Sequence, residues 1–150
     1  MNKPILCLDF DGVLHSYTSG WKGAAVIPDE PVPGALEFIF YALPSFRVAI
    51  HSSRSHQWGG KRAMRRWLNL HYQEIGDPCP KWWRDYVCYH GGMEPWHIAV
   101  RDSAARIVRQ IEFPWFKPPA LVTLDDRALQ FTGTFPPIRV LLAFKPWNKP

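Results

Sequence analysis

Ile5-Leu6-Cys7-Leu8 runs straight into Asp9-Phe10-Asp11-Gly12-Val13. A short apolar run that stops at two acids and a glycine is the pattern of a strand buried in a parallel sheet, with polar side chains delivered at its C-terminal end. Two later stretches repeat the pattern. Phe46-Arg47-Val48-Ala49-Ile50-His51 leads into Ser52-Ser53-Arg54, and Leu121-Val122-Thr123-Leu124 leads into Asp125-Asp126-Arg127, with Lys117-Pro118-Pro119 just before it. Strand ends set side by side would gather carboxylates, hydroxyls and a lysine at one sheet edge, where open α/β sheets bind their ligands.

The intervening segments read mostly as helices. Pro33-Gly34 opens one, with Leu36, Phe38, Ile39, Phe40 and Leu43 on its apolar side, and Pro44-Ser45 stops it. Gly59-Gly60 starts a second that runs to about residue 72, with Met64, Trp67, Leu68 and Leu70 inward. Glycines and prolines break up residues 74–95, leaving room for a short helix carrying Trp82, Trp83, Tyr86, Val87 and Tyr89. Residues 96–108 read as a helix, 111–113 as a short strand, 120–124 as a buried strand and 138–144 as a helix in preference to a strand. Residues 13–32, with Gly20, Gly23, Pro28 and Pro31, read as a small hairpin or flap beside the first motif. Alternating strands and helices imply parallel pairing with right-handed crossovers, hence a three-layer α/β sandwich.

The chain has 150 residues, 47% hydrophobic and 21% charged, which suits a single globular domain with a real core. No apolar stretch approaches the roughly 18 residues of a membrane span. Met1-Asn2-Lys3-Pro4 leads directly into the first strand with no signal-peptide pattern, so a cytoplasmic protein is expected. Three cysteines, Cys7, Cys79 and Cys88, do not make a disulfide framework. Cys79, Cys88, His90 and His97 match no standard zinc-ligand spacing. The net charge of +5 favours anionic partners, and Lys61, Arg62, Arg65 and Arg66 cluster on one predicted helix, as a solvated face or a nucleic-acid patch. Most of the eight tryptophans lie between Trp58 and Trp115, as core or as a substrate-facing lid.

Asp9 and Asp11 are two apart at a strand end, so alternation can place both on one side. One carboxylate there can attack phosphorus and form an acyl phosphate, and the other can protonate the leaving oxygen and then activate water. Gly12 allows the tight turn that follows. Ser52, or Ser53 in competition with it, can bind phosphate oxygens at the second strand end, or simply cap the next segment. Arg54 can reach a phosphate bidentately or pair with a carboxylate. Lys117, stiffened by two prolines, can neutralise a phosphate. Adjacent Asp125 and Asp126 repel one another unless a cation is near, and magnesium, with its preference for oxygen ligands, would supply one. His15, Tyr17, Trp21, His56 and Trp58 stand close to the motifs in sequence and are candidate substrate contacts.

Taken together, the four motifs resemble those of the haloacid dehalogenase (HAD) superfamily of phosphotransferases. Asp9-Phe10-Asp11-Gly12-Val13 is similar to its first motif, Ser52 to its second, Lys117 to its third and Asp125-Asp126 to its fourth. The Leu-Asp-Asp-Arg string is particularly similar to small HAD phosphatases and to polynucleotide 3′-phosphatase domains. The resemblance implies a three-layer α/β/α Rossmann-like HAD fold with a parallel central sheet and a small or absent cap. Within it, 13–32 would be a flap-like insertion and 74–95 at most a small lid. It also implies Mg²⁺ as cofactor. Asp9 would be nucleophile and metal ligand, and Asp11 the general acid/base and a backbone ligand. Ser52 and Lys117 would hold the phosphoryl group, and Asp126 or Asp125 would complete the metal site. The implied substrate is a phosphorylated small molecule such as a nucleotide, or else a nucleic-acid end. A HAD-shaped binding module with little turnover is the alternative of another class.

Overall fold

The computed structural model describes residues 3–76 and 78–148. Three strands, β1 (Ile5–Leu8), β2 (Arg47–Ile50) and β3 (Val122–Leu124), form a parallel sheet in the order β2-β1-β3. Five α-helices accompany it among the described residues: α1 (Ala35–Ala42), α2 (Gly60–Gln73), α3 (Lys81–Gly91), α4 (Trp96–Arg109) and α5 (Ile138–Leu142). The fold is therefore mixed α/β. Leu8 of β1 lies level with Ile50 on one side and Leu124 on the other, so all three strands end at the same height. That register is what brings the motifs together. Leu6, Cys7 and Leu8 are all buried, and successive strand residues face opposite ways, so both faces of β1 are covered.

α1 sits where the prolines place it and buries Ala35, Ile39 and Ala42, with Leu43 just beyond its end. Phe38, expected inward, is exposed: it lies at the edge of the stripe that Ala35, Ile39 and Ala42 bury. α2 buries Met64, Trp67, Leu68 and Tyr72, while Leu70 turns to solvent. The helix expected inside 74–95 is α3, and it belongs to the body: Trp83 and Val87 are fully buried, and Trp83 packs against Tyr72 and Tyr86. Tyr89 is exposed.

The strand expected at 111–113 reduces to one bridging residue. Glu112 pairs with β2, donating its N–H to the Val48 carbonyl and accepting from Ile50 N–H, and Pro114, with no N–H, cannot extend the ladder. β3 is not the buried strand its composition suggests: Val122 and Leu124 are exposed. β-branched residues favour a strand, but burial needs a covering element, and α5 buries no side chain. Residues 13–32 form a flap without a hairpin. Its base is closed by Ser16 N–H to Glu30 O and Val32 N–H to Leu14 O, and its tip has no strand, since Gly20, Gly23 and Tyr17 take positive φ there. Among the described residues, no helix is long and apolar enough to cross a membrane.

Gly60 opens α2 against the second motif, and a Cβ at this position would collide with the Arg54 carbonyl. Gly60→Ala is expected to lower stability by about 1–3 kcal/mol, the cost of overpacking, read from denaturant midpoints. An unchanged midpoint would mean that the 53–56 turn shifts freely.

Candidate active site

The first motif is a tight turn built on one carbonyl. Phe10 O accepts the N–H groups of Val13, Leu14 and His15, and Gly12, at φ 86°, makes the reversal. Phe10 goes into the core and leaves Asp9 and Asp11 facing away from it. Asp9 N–H donates to Leu124 O, which ties the turn to the end of β3, and Asp9 Oδ1 accepts Phe10 N–H at 2.7 Å. Just past β3 come Asp125 and Asp126. Carboxylate oxygens of Asp9, Asp125 and Asp126 all lie within 4.8 Å of one another.

Asp126 is the most telling member. Its side chain is 0% exposed, and neither carboxylate oxygen has a hydrogen-bond partner. The Arg127 guanidinium comes no closer than 3.9 Å. A Cβ at position 12 would strike this carboxylate, so the glycine makes room for it as well as for the turn. Burial raises the Asp126 carboxyl above the ordinary range, and neighbouring Asp125 adds to it. Burial likewise pushes Asp9 up to about 7, reinforced by Asp125, Asp126 and Asp11 and opposed by the Phe10 N–H. A buried, unpaired carboxylate among acids is costly unless something cationic compensates it. The donor set is all oxygen, which fits a hard divalent cation such as Mg²⁺ held by Asp9, Asp126 and Asp125.

Asp11 lives in a different field. Burial alone would raise it, but hydrogen bonds from His15 and Arg54 outweigh that and hold it below the ordinary range. His15 Nδ1 lies 2.8 Å from Asp11 Oδ1, and Arg54 Nε donates to both Asp11 oxygens at 3.1 and 2.8 Å. His15 Nε2 accepts Asp29 N–H at 3.2 Å, which leaves Nδ1 as the protonated nitrogen facing Asp11. Two neighbouring carboxylates are thus driven in opposite directions: without a cation Asp9 holds its proton up to about neutral pH while Asp11 is ionised, so a nucleophilic Asp9 needs a cation beside it to ionise.

The second motif faces this cluster. β2 ends at Ile50, and Ser52 caps a 3₁₀ turn (Ser53–His56), accepting Arg54 N–H at 3.4 Å. The capping role weighed for Ser52 is therefore real, yet the hydroxyl keeps its own proton to donate. A pocket of about 370 Å³ opens between the motifs, lined by Asp9, Asp11, Ser52, Ser53, Lys117 and Asp125 together with Tyr17, His51, His56 and Arg127. No residue of 74–95 lines it.

Tyr17 and His56 line the pocket as expected, but four other expected substrate contacts, Arg54, His15, Trp21 and Trp58, do not. Arg54 and His15 are fully buried and do not line the pocket; each serves Asp11 instead. Trp21 stacks on the Arg54 guanidinium at 4.7 Å, and Trp58 stands in solvent. His51 and Arg127 were not singled out as contacts, although each directly adjoins a motif. Trp147 was missed altogether: its indole N–H donates to Gly12 O at 2.8 Å and braces the first turn from the far end of the chain. The chain matches no family model, no curated protein and no solved structure.

Proposed function

We propose that this chain is a magnesium-dependent phosphomonoesterase of the haloacid dehalogenase type, working through an aspartyl phosphate on Asp9. The observation that carries the reading is the buried, partnerless Asp126 carboxylate beside Asp9 and Asp125, across a pocket from Ser52, Ser53 and Lys117. A parallel sheet whose central strand is covered on both faces supports a three-layer α/β/α HAD fold with a minimal cap.

In this reading Ser52, Ser53 and Lys117 hold the phosphoryl oxygens and face phosphorus toward Asp9. Asp9, Asp125 and Asp126 would hold the cation, which when bound would neutralise charge on the phosphoryl group and on the nucleophile. Asp9 attacks phosphorus, the bond to the leaving oxygen breaks, and Asp11 gives that oxygen a proton. Water then attacks the acyl phosphate, Asp11 takes its proton, and Asp9 is regenerated as phosphate leaves. Asp11 rests as a carboxylate, so its first proton has to arrive with the substrate; a phosphate monoester, with a second pKa of about 6, brings one.

A mononucleotide or other small phosphomonoester is the first substrate class. The second, a nucleic-acid end, is supported by exposed aromatics and cations on the segments that follow the second motif and precede the third. Phe116, beside Lys117, is 80% exposed, and Trp58 is 97% exposed. Lys61 of α2 lies over Trp115 at 3.3 Å, and Arg62, Arg65 and Arg66 continue the basic face. Exposed aromatics with interleaved cations suit stacked bases and a phosphate backbone. The deciding experiment is phosphate release from small phosphomonoesters, mononucleotides and 3′- or 5′-phosphorylated oligonucleotides, with Mg²⁺ and with EDTA. Mg²⁺-dependent release is expected, and the responding class names the substrate. No release from any of them would overturn the enzyme reading, and salt-sensitive oligonucleotide binding in its place would support a binding module.

A further inference from the structure

Arg54 is fully buried, and its side chain reaches two other segments of the chain. Its Nε donates to both oxygens of Asp11. Its Nη1 donates to three carbonyls of the flap, Gly23 O at 2.8 Å, Ala24 O at 2.9 Å and Val26 O at 3.1 Å. Trp21, also in the flap, lies against the guanidinium face, and Phe10 of the first motif stands 5.9 Å from it. Its backbone is pinned as well: Ser52 caps the turn, Ser55 Oγ accepts Ser52 N–H, and Gly60 packs on the Arg54 carbonyl. One side chain therefore ties the first motif, the second motif and the flap to each other.

We propose that Arg54 is the positioning residue for Asp11: it locks that carboxylate in one orientation and uses the flap backbone at 23–26 as the template that holds its own fork in place. Resting on the phosphatase reading, this assigns a role in turnover to a flap that contributes Tyr17 to the pocket and whose tip carries no helix or strand. The planar fork matters as much as the charge. A lysine could pair with Asp11, but its single ammonium cannot also satisfy three carbonyls on another segment.

The test is a double-mutant cycle on the full chain with whichever phosphomonoester the wild type turns over. Arg54→Lys is expected to lower kcat by about 10–100-fold, the cost of a misplaced catalytic group, with KM changed by less than about 3-fold because ground-state phosphate binding does not use Arg54. In an Asp11→Asn background the same change should cost almost nothing further, since Arg54 acts only through Asp11. Trypsin cleavage after Lys22, which adjoins the carbonyls that Arg54 holds, should accelerate in Arg54→Lys. A kcat equal to wild type in Arg54→Lys overturns the assignment, and so does an equal additional loss in the Asp11→Asn background, which marks a purely structural role. If Arg54→Lys does not fold, Trp21→Ala decides: it removes only the exposed ring stacked on the guanidinium, a kcat several-fold below wild type is expected, and an unchanged kcat refutes the role. A wild type that turns over nothing sinks the phosphatase reading and this role with it; turnover at the wild-type rate in Arg54→Lys sinks this role alone.

Discussion

Asp9→Asn is expected to abolish phosphate release, by roughly 10⁴-fold or more, the scale on which removing a nucleophile acts, in a protein that stays folded. The amide is nearly isosteric and its oxygen can still accept the Phe10 N–H that Asp9 accepts at 2.7 Å. The turn around Phe10 O does not depend on the charge at position 9. What disappears is an oxygen nucleophile able to form an acyl phosphate. Removing this charge should also relieve Asp125 and Asp126, which lie within 4.8 Å of it, so the metal-free variant should melt no lower than wild type at neutral pH. Single-turnover phosphate release and thermal unfolding check both halves. Turnover within tenfold of wild type would move the nucleophile to another acid of the pocket, Asp125 first, because it also lines the cavity.

The pocket was legible in the sequence to the extent that strand ends determine it. Three apolar runs stop at polar residues, and parallel pairing of Leu8 with Ile50 and Leu124 sets those stops level. Asp9, Asp125 and Ser52 follow from that alone. Arg54 and His15 were misplaced for a physical reason. Sequence distance from a motif does not say whether a side chain turns to the pocket or behind it, and Arg54 is buried because Asp11, 43 positions away, and three flap carbonyls compensate it. The opposite failure befell β3, whose composition announces a buried strand although no later element among the described residues covers it. Trp147 illustrates the limit: nothing local marks an indole that closes on Gly12 across 135 positions.

Without metal, the protein should lose stability as pH rises from about 4 to about 7, and Mg²⁺ should restore it. Folded Asp9 keeps its proton up to about 7, whereas an ordinary aspartate releases it near 3.8. Between those values the folded chain binds more protons than the unfolded one, so each step up in pH favours unfolding. Three pKa units correspond to about 4 kcal/mol, and Asp126, raised in the same sense, adds to the loss. Asp11 acts in another window: its depressed carboxyl stabilises the fold above the ordinary aspartate range and withdraws that support only as pH falls through its own lower value. A cation binding Asp9 and Asp126 reverses the neutral-pH loss, and at about 100 times its Kd it contributes some 2.7 kcal/mol. Thermal melts at pH 5 and pH 8, with Mg²⁺ and with EDTA, should therefore show a metal-dependent rise confined to the higher pH. Asp126→Asn should raise the metal-free melting temperature at pH 8 and erase most of the Mg²⁺ response, because it removes the buried charge that calls for the cation. A full Mg²⁺ response in Asp126→Asn would place the bound cation away from the strand ends and take the proposed chemistry with it.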